Sequence, residues 1–113
     1  MANVVQNDRP RQTKRIEFRN KLSAQTGVTR MYFQRPPKHI TDFDGCIVYS
    51  GKPGLRYADN HAYIKGTYYT VTYIHSDPDD DVIDAILDFP YCHFDRQFIS
   101  DDLYHDVFII FYI

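Results

Sequence analysis

The 113-residue chain contains no Trp and only two cysteines, Cys46 and Cys92, too few for a framework of disulfides. No positively charged, then apolar, then small-residue leader precedes them, and the sequence predicts an origin in the reducing cytosol. The five glycines are scattered at Gly27, Gly45, Gly51, Gly54 and Gly66, so no glycine-rich loop is available to cradle a phosphate, and no nucleotide cofactor is indicated. The longest purely apolar run, Val107 to Ile113, is far short of the ~20 residues a spanning helix needs, which predicts no membrane association. Net charge is small, at −2, so bulk electrostatics do not recruit nucleic acid.

What the chain has instead is Tyr and Phe: 10 and 8 residues, together 16% of the sequence. Tyr suits sites where a ring packs while its hydroxyl reaches water or a partner, which points to half-buried strands and to protein contacts. Length allows one hydrophobic core and therefore one domain. No solenoid repeat or low-complexity segment interrupts it.

Residues 1–12 are polar, with Pro10 set between two arginines, and read as an arm outside a single domain spanning 13–113. From Thr13, a suitable N-cap, to Gly27, a suitable stop, Phe18 and Leu22 at i, i+4 spacing predict an amphipathic helix. A short strand is predicted over Val28 to Gln34, ended by Pro36-Pro37. A second covers Cys46 to Tyr49, with Gly51 and Pro53-Gly54 read as turn signals. Lys65-Gly66 suits another turn, and Thr67 to His75 is a strand with Tyr69, Val71 and Tyr73 on one face.

Ser76-Asp77-Pro78 reads as a helix start, its following aspartates complementing the positive end of the dipole, with Ile83, Ile86 and Leu87 as the buried stripe. After Pro90, His93 to Ser100 and Leu103 to Ile113 predict a hairpin turning at Asp101-Asp102. The last strand is apolar on both faces and is expected to be covered on both sides, one of them by a neighbouring subunit. The result is an α+β fold: a small, mainly antiparallel β-sheet with about two helices packed on one face, in the order α-β-β-β-α-β-β.

Candidate chemistry is sparse. Cys92, His93 and His105, with Asp106, match no usual zinc spacing. The run Asp77 to Asp81 lacks the glycine and distal glutamate of a calcium loop, and helix capping accounts for its charges. Ser76 or Ser100 beside histidine lacks a third orienting group and an oxyanion site. These absences predict a protein that is not an enzyme and needs no metal. Arg9, Arg11, Lys14, Arg15, Arg19 and Lys21 form the one concentrated basic cluster, read either as a solvated helix face or as a surface meeting an acidic partner or DNA. Tyr57, Tyr63, Tyr68, Tyr69 and Tyr73 near Arg56 and Lys65 have the composition of a single-strand-binding platform, although strand aromatics more often pack a core or an interface.

The segment LDFPYCHFDRQFISDDLYHDVFIIFYI, Leu87 to Ile113, resembles the closing signature of tail-completion or tail terminator proteins of long-tailed bacteriophages. That signature combines a proline-aromatic-Cys step, Phe-Asp-Arg, an acidic turn and His-Asp-Val-Phe. The likeness extends in element order over 13–113, through Gly45-Cys46-Ile47-Val48-Tyr49, Tyr57-Ala58-Asp59-Asn60 and His75-Ser76-Asp77-Pro78-Asp79.

The resemblance implies a structural virion protein of the neck, assembled in the host cytoplasm. Its copies would form a hexameric ring that terminates the tail tube, meeting the tail tube protein on one side and the head-tail connector or stopper protein on the other. Genomic DNA would pass through the lumen. Alternatives are another neck component, an adaptor or stopper, or a small nucleic-acid-binding phage protein. Candidate subunit or partner contacts are Arg11, Lys14, Arg15, Tyr57, Tyr63, Tyr68, Tyr104 and Phe108. His105 and Asp106 are expected to form a hydrogen-bonded pair that fixes the hairpin.

Overall fold

The computed structural model of the chain describes residues 4–5, 10–38, 43–57 and 63–113, with only the backbone of Val4, Val5, Tyr57 and Tyr63. Its elements are β1 (Val4–Val5), α1 (Arg11–Thr26), β2 (Met31–Phe33), β3 (Cys46–Tyr57), β4 (Tyr63–His75), α2 (Val82–Leu87), β5 (Cys92–Ser100) and β6 (Leu103–Tyr112). The strands form one mostly antiparallel sheet in the order β2-β3-β4-β6-β5, and β1 pairs with β4. Both helices pack on it, giving the α+β fold that the residue patterns predict. The arm contributes more than its composition suggests, since Val4 and Val5 pair in parallel with Tyr63 and Ile64.

Helix α1 ends as its glycine dictates: Gly27 takes the left-handed conformation, φ 77°, and its N–H bonds to the Ser23 carbonyl. Its start differs from the expected Thr13 cap. The cap position is Pro10, which has no side-chain donor or acceptor, and the first turn closes through Lys14 N–H to the Pro10 carbonyl at 3.1 Å. Phe18 and Leu22, fully buried, are the helix's contribution to the core. The Phe18 ring stacks on Tyr69 at 4.0 Å and meets Phe89 and Tyr112 edge-on at 5.4 and 5.3 Å. Such aromatic pairs add about 0.5–1.5 kcal/mol each beyond the area they bury.

The larger departure is in β3 and β4. The expected turns at Pro53-Gly54 and Lys65-Gly66 do not occur; β3 and β4 pair continuously from Cys46↔Ile74 to Tyr57↔Tyr63, with Gly54 opposite Gly66. Glycine serves close packing here. A Cβ on Gly54 would lie 2.2 Å from Tyr68 Cδ2, so the tyrosine ring occupies the space a side chain would take. Pro53 is tolerated because β2 covers β3 only as far as Tyr49, which leaves β3 an edge strand beyond it among the described residues.

Helix α2 is also shorter than predicted. Ser76 does not cap it: its N–H and hydroxyl both bond to the Asp44 carboxylate, at 3.0 and 2.9 Å. The Val82 N–H bonds instead to Asp80 Oδ1 at 2.9 Å. Of the expected stripe only Ile86 is fully buried, Ile83 is half-buried, and Leu87 is 40% exposed because the helix stops there. The hairpin β5–β6 matches the expectation, with Asp101 and Asp102 at φ 52° and 62° supplying the two left-handed positions of a two-residue turn. β6 lies between β4 and β5, and Val107, Phe108, Ile110 and Phe111 are all buried within the single chain.

Candidate functional site

Strand β4 alternates faces, and its odd-numbered residues face the helices. The apolar part of that face, Tyr69 and Val71, packs under α1, while Tyr73 and His75 at its end enter a polar cluster. His75 and Asp106 are each 1% exposed. His75 Nδ1 lies 2.8 Å from the Asp77 carbonyl oxygen, an acceptor only, and therefore donates to it. His75 Nε2 meets Asp106 Oδ2, and Gln97 Nε2 donates to Asp106 Oδ1 at 2.7 Å.

Because Nδ1 carries hydrogen, the His75–Asp106 contact holds one further proton, on one partner or the other. The pair as a unit is neutral, and this makes its burial tolerable. It is walled by Tyr73 and Tyr104, whose rings stack on the imidazole at 4.7 and 5.6 Å. The Tyr73 hydroxyl donates to Asp80 at 2.6 Å, and burial, then that bond and the surrounding carboxylates, push the phenol far above its ordinary value. The cluster therefore ties the α2 approach to three strands. It opens onto neither groove described below.

The expected His105–Asp106 pair is corrected by this arrangement. Neighbours on a strand point to opposite faces, so Asp106 turns to His75 while His105 stacks on Phe98 at 4.6 Å and donates from Nδ1 to the Leu103 carbonyl at 3.1 Å. The same alternation separates Cys92 from His93, and His105 sits near the far end of the hairpin. Burial pushes the Cys92 thiol up to about 11. Among the described residues, no three His, Cys, Asp or Glu side chains form a group able to hold a metal ion.

The other candidate residues divide between core and surface. Phe108 is fully buried, beside Phe94 at 5.6 Å, and so belongs to the subunit interior rather than to a contact surface. Tyr68 packs on Phe111 at 4.8 Å, and Tyr104 is held against His75; both remain half-buried. Tyr57 and Tyr63 stand opposite each other in the β3–β4 ladder, their side chains outside the described residues, as are Arg9 and 58–62. Lys14 is buried, Arg11 is exposed, and the Arg15 guanidinium lies 4.3 Å from the Phe33 ring centroid. Arg11 and Arg15 share with Lys52, Phe33 and Tyr69 a groove of about 250 Å³.

A larger groove, about 760 Å³, opens between α1 and the end of β6, lined by Lys21, Gln25, Phe89, Tyr91, Phe111 and Tyr112 among others. Within it the Tyr112 hydroxyl donates to Glu17, which also pairs with Lys21 at 3.3 Å. Sequence reasoning placed β5 in the hairpin but missed its exposure. Cys92 is half-buried and every residue from His93 to Ser100 is exposed, with Phe94, Phe98 and Ile99 at 46, 41 and 66%.

Charge separates along the strand direction. Asp77, Asp79 and Asp81 are exposed in the segment that follows β4, at the end of the sheet where β6 begins and where Arg30 also lies; Arg11, Arg15, Lys52 and Arg56 lie toward the other end of the β3–β4 ladder. Among the described residues, no helix is long and apolar enough to cross a membrane. No protein-family model, curated protein or solved structure matches the chain.

Proposed function

We propose that this chain is a non-enzymatic structural subunit whose copies associate head to tail into a closed ring. The ring would lie at the head-tail junction of a long-tailed bacteriophage, ending the tail tube and joining it to the head connector. The place in the virion rests on the resemblance carried by Leu87 to Ile113. The observation that favours self-assembly is the segregation of charge. A ring closes through contacts in which one surface of a subunit meets a different, complementary surface of the next. An acidic segment at Asp77 to Asp81 and a basic side at Arg11, Arg15 and Lys52 form such a pair.

The partners in this reading are further copies of the chain, the tail tube protein and the connector or stopper, with the basic groove also suited to DNA in the lumen. The buried cluster at His75 has a structural role, holding the acidic segment at a fixed place on the sheet. Electron microscopy of a lysate from phage carrying an early stop codon in this gene tests the proposal. Filled heads beside unattached, overlong tails are expected. Normal infectious particles would overturn it.

A further inference from the structure

We infer that β5 is a self-pairing edge, along which two copies of the chain join antiparallel about a twofold axis into one continuous sheet. This goes beyond the ring proposal and uses neither of the charged surfaces on which that proposal rests.

An open sheet leaves a row of backbone N–H and C=O groups unpaired at each edge, and proteins usually blunt such edges with proline, charge or a bulge. The open part of β3 carries Lys52 and Pro53. β5 has no proline, pairs along one side only among the described residues, and exposes Phe94, Phe98 and Ile99. It does contain a bulge: Phe94 stands opposite Phe108 and Arg96 opposite Val107, leaving Asp95 as an extra residue.

That bulge moves the centre about which the faces match to a point between two residues. Cys92 and Phe94 oppose Ile110 and Phe108 on the helix-bearing face, and Gln97 and Ile99 oppose Asp106 and Tyr104 on the same face. His93 and Phe98 oppose Ile109 and His105 on the other face. In a regular strand, two residues equidistant from a midpoint between neighbours fall on opposite faces. Here they fall on the same face: counting outward from between Asp95 and Arg96, the faces match at 94 and 97, at 93 and 98, and at 92 and 99.

Antiparallel pairing about a twofold axis demands that property, because residues directly across a ladder must point the same way. In this register Phe94 of each copy faces Gln97 of the other, His93 faces Phe98 and Cys92 faces Ile99. At the centre Asp95 of each copy faces Arg96 of the other, two opposite-charge pairs related by symmetry. A regular strand meets that demand about an axis through a residue, where identical side chains face each other; the bulge moves the axis between Asp95 and Arg96, where opposite charges meet instead. An edge built to repel copies would place like charges there, and the opposite charges select a second copy of this chain as the occupant.

Sedimentation equilibrium on the purified full chain, with Asp95→Arg, Arg96→Asp and the double exchange, tests the inference. The unsubstituted chain is expected to be a reversible dimer. Each single change sets like charges against each other twice and weakens dimerisation by about tenfold, and the double exchange restores it. Asp95 and Arg96 also pair within one chain at 2.8 Å, but at 39% and 65% exposure that contact is worth little, so circular dichroism melting at a concentration where every variant is monomeric should be nearly unchanged. A chain that stays monomeric up to about 1 mM, where association is negligible, overturns the inference. So does a dimer or larger oligomer that ignores the single changes, or a double exchange that fails to restore pairing. These outcomes leave the ring proposal standing or falling on the virion phenotype alone.

Discussion

His75 and Asp106 are buried against each other at the junction of β4 and β6, each 1% exposed, each with its second polar atom also bonded. Replacing either partner strands the other. His75→Ala leaves the Asp106 carboxylate in the core with Gln97 alone, and Asp106→Ala leaves an imidazole without its acceptor. Loss of one member of a buried pair costs about 3–5 kcal/mol, and that is the expected drop in urea unfolding free energy for His75→Ala. His105→Ala, one position along on the other face, removes a stack and a local bond, and should cost roughly 1 kcal/mol.

Gly54 accommodates the Tyr68 ring. Gly54→Ala brings a methyl group within 2.2 Å of Tyr68 Cδ2 and forces the ring from its place against Phe111. A loss of about 1–3 kcal/mol is expected, as for other overpacked sites. In a Tyr68→Ala background the same substitution should cost much less, and a double-mutant cycle by thermal denaturation reads the difference.

Alkaline pH should weaken the fold. Burial raises the Cys92 thiol to about 11 and raises the phenols of Tyr49, Tyr69 and Tyr73, so the folded chain holds these protons more tightly than the unfolded chain. The contribution is complete below the unfolded values, 9.0 for the thiol and 10.0 for the phenols, and is lost as pH rises through the folded ones. The urea midpoint is therefore expected to be insensitive to these groups below pH 9 and to fall above it, Cys92 first. At pH 8, alkylation of Cys92 should run about tenfold slower than that of a peptide thiol, since thiolate is scarcer though more nucleophilic.

The β5–β6 turn offers a gain. Asp102 sits at φ 62°, where a residue with a Cβ is strained by about 1 kcal/mol and glycine is not. Asp102→Gly produces the Asp-Gly pair that two-residue hairpins favour and should raise stability by up to about 1 kcal/mol, read as a higher melting temperature.

The parts of the fold that were legible in the sequence are those fixed by neighbours in the chain. Phe18 and Leu22 share a helix face by spacing alone, Gly27 stops that helix by its own backbone, and the Asp101-Asp102 turn lies between two alternating runs. Gly51, Pro53, Gly54 and Gly66 misled because their local signal is a turn, whereas the fold uses the glycines for close contact with Tyr69, Tyr68 and Phe111 respectively, and Pro53 to continue an edge. The His75–Asp106 pair joins residues 31 positions apart and has no local signature. One signal was present: a carboxylate in the middle of an apolar strand must find a proton donor, and His75 ends the strand that pairs with it. The exposed aromatics of β5 could not be separated from core residues by alternation, since the bulge interrupts the period.

The four long strands of the sheet form two hairpins of short reach, β3–β4 and β5–β6, joined along the β4–β6 ladder from Thr67↔Tyr112 to His75↔Tyr104. Each hairpin can form early, closing only its own small loop, while that ladder must bring together segments distant in the chain. The joining step therefore sets the folding rate. His75 and Asp106 lie at the end of that ladder where the paired residues are closest in sequence, so they meet early in the joining step, and removing them should slow folding as well as speed unfolding.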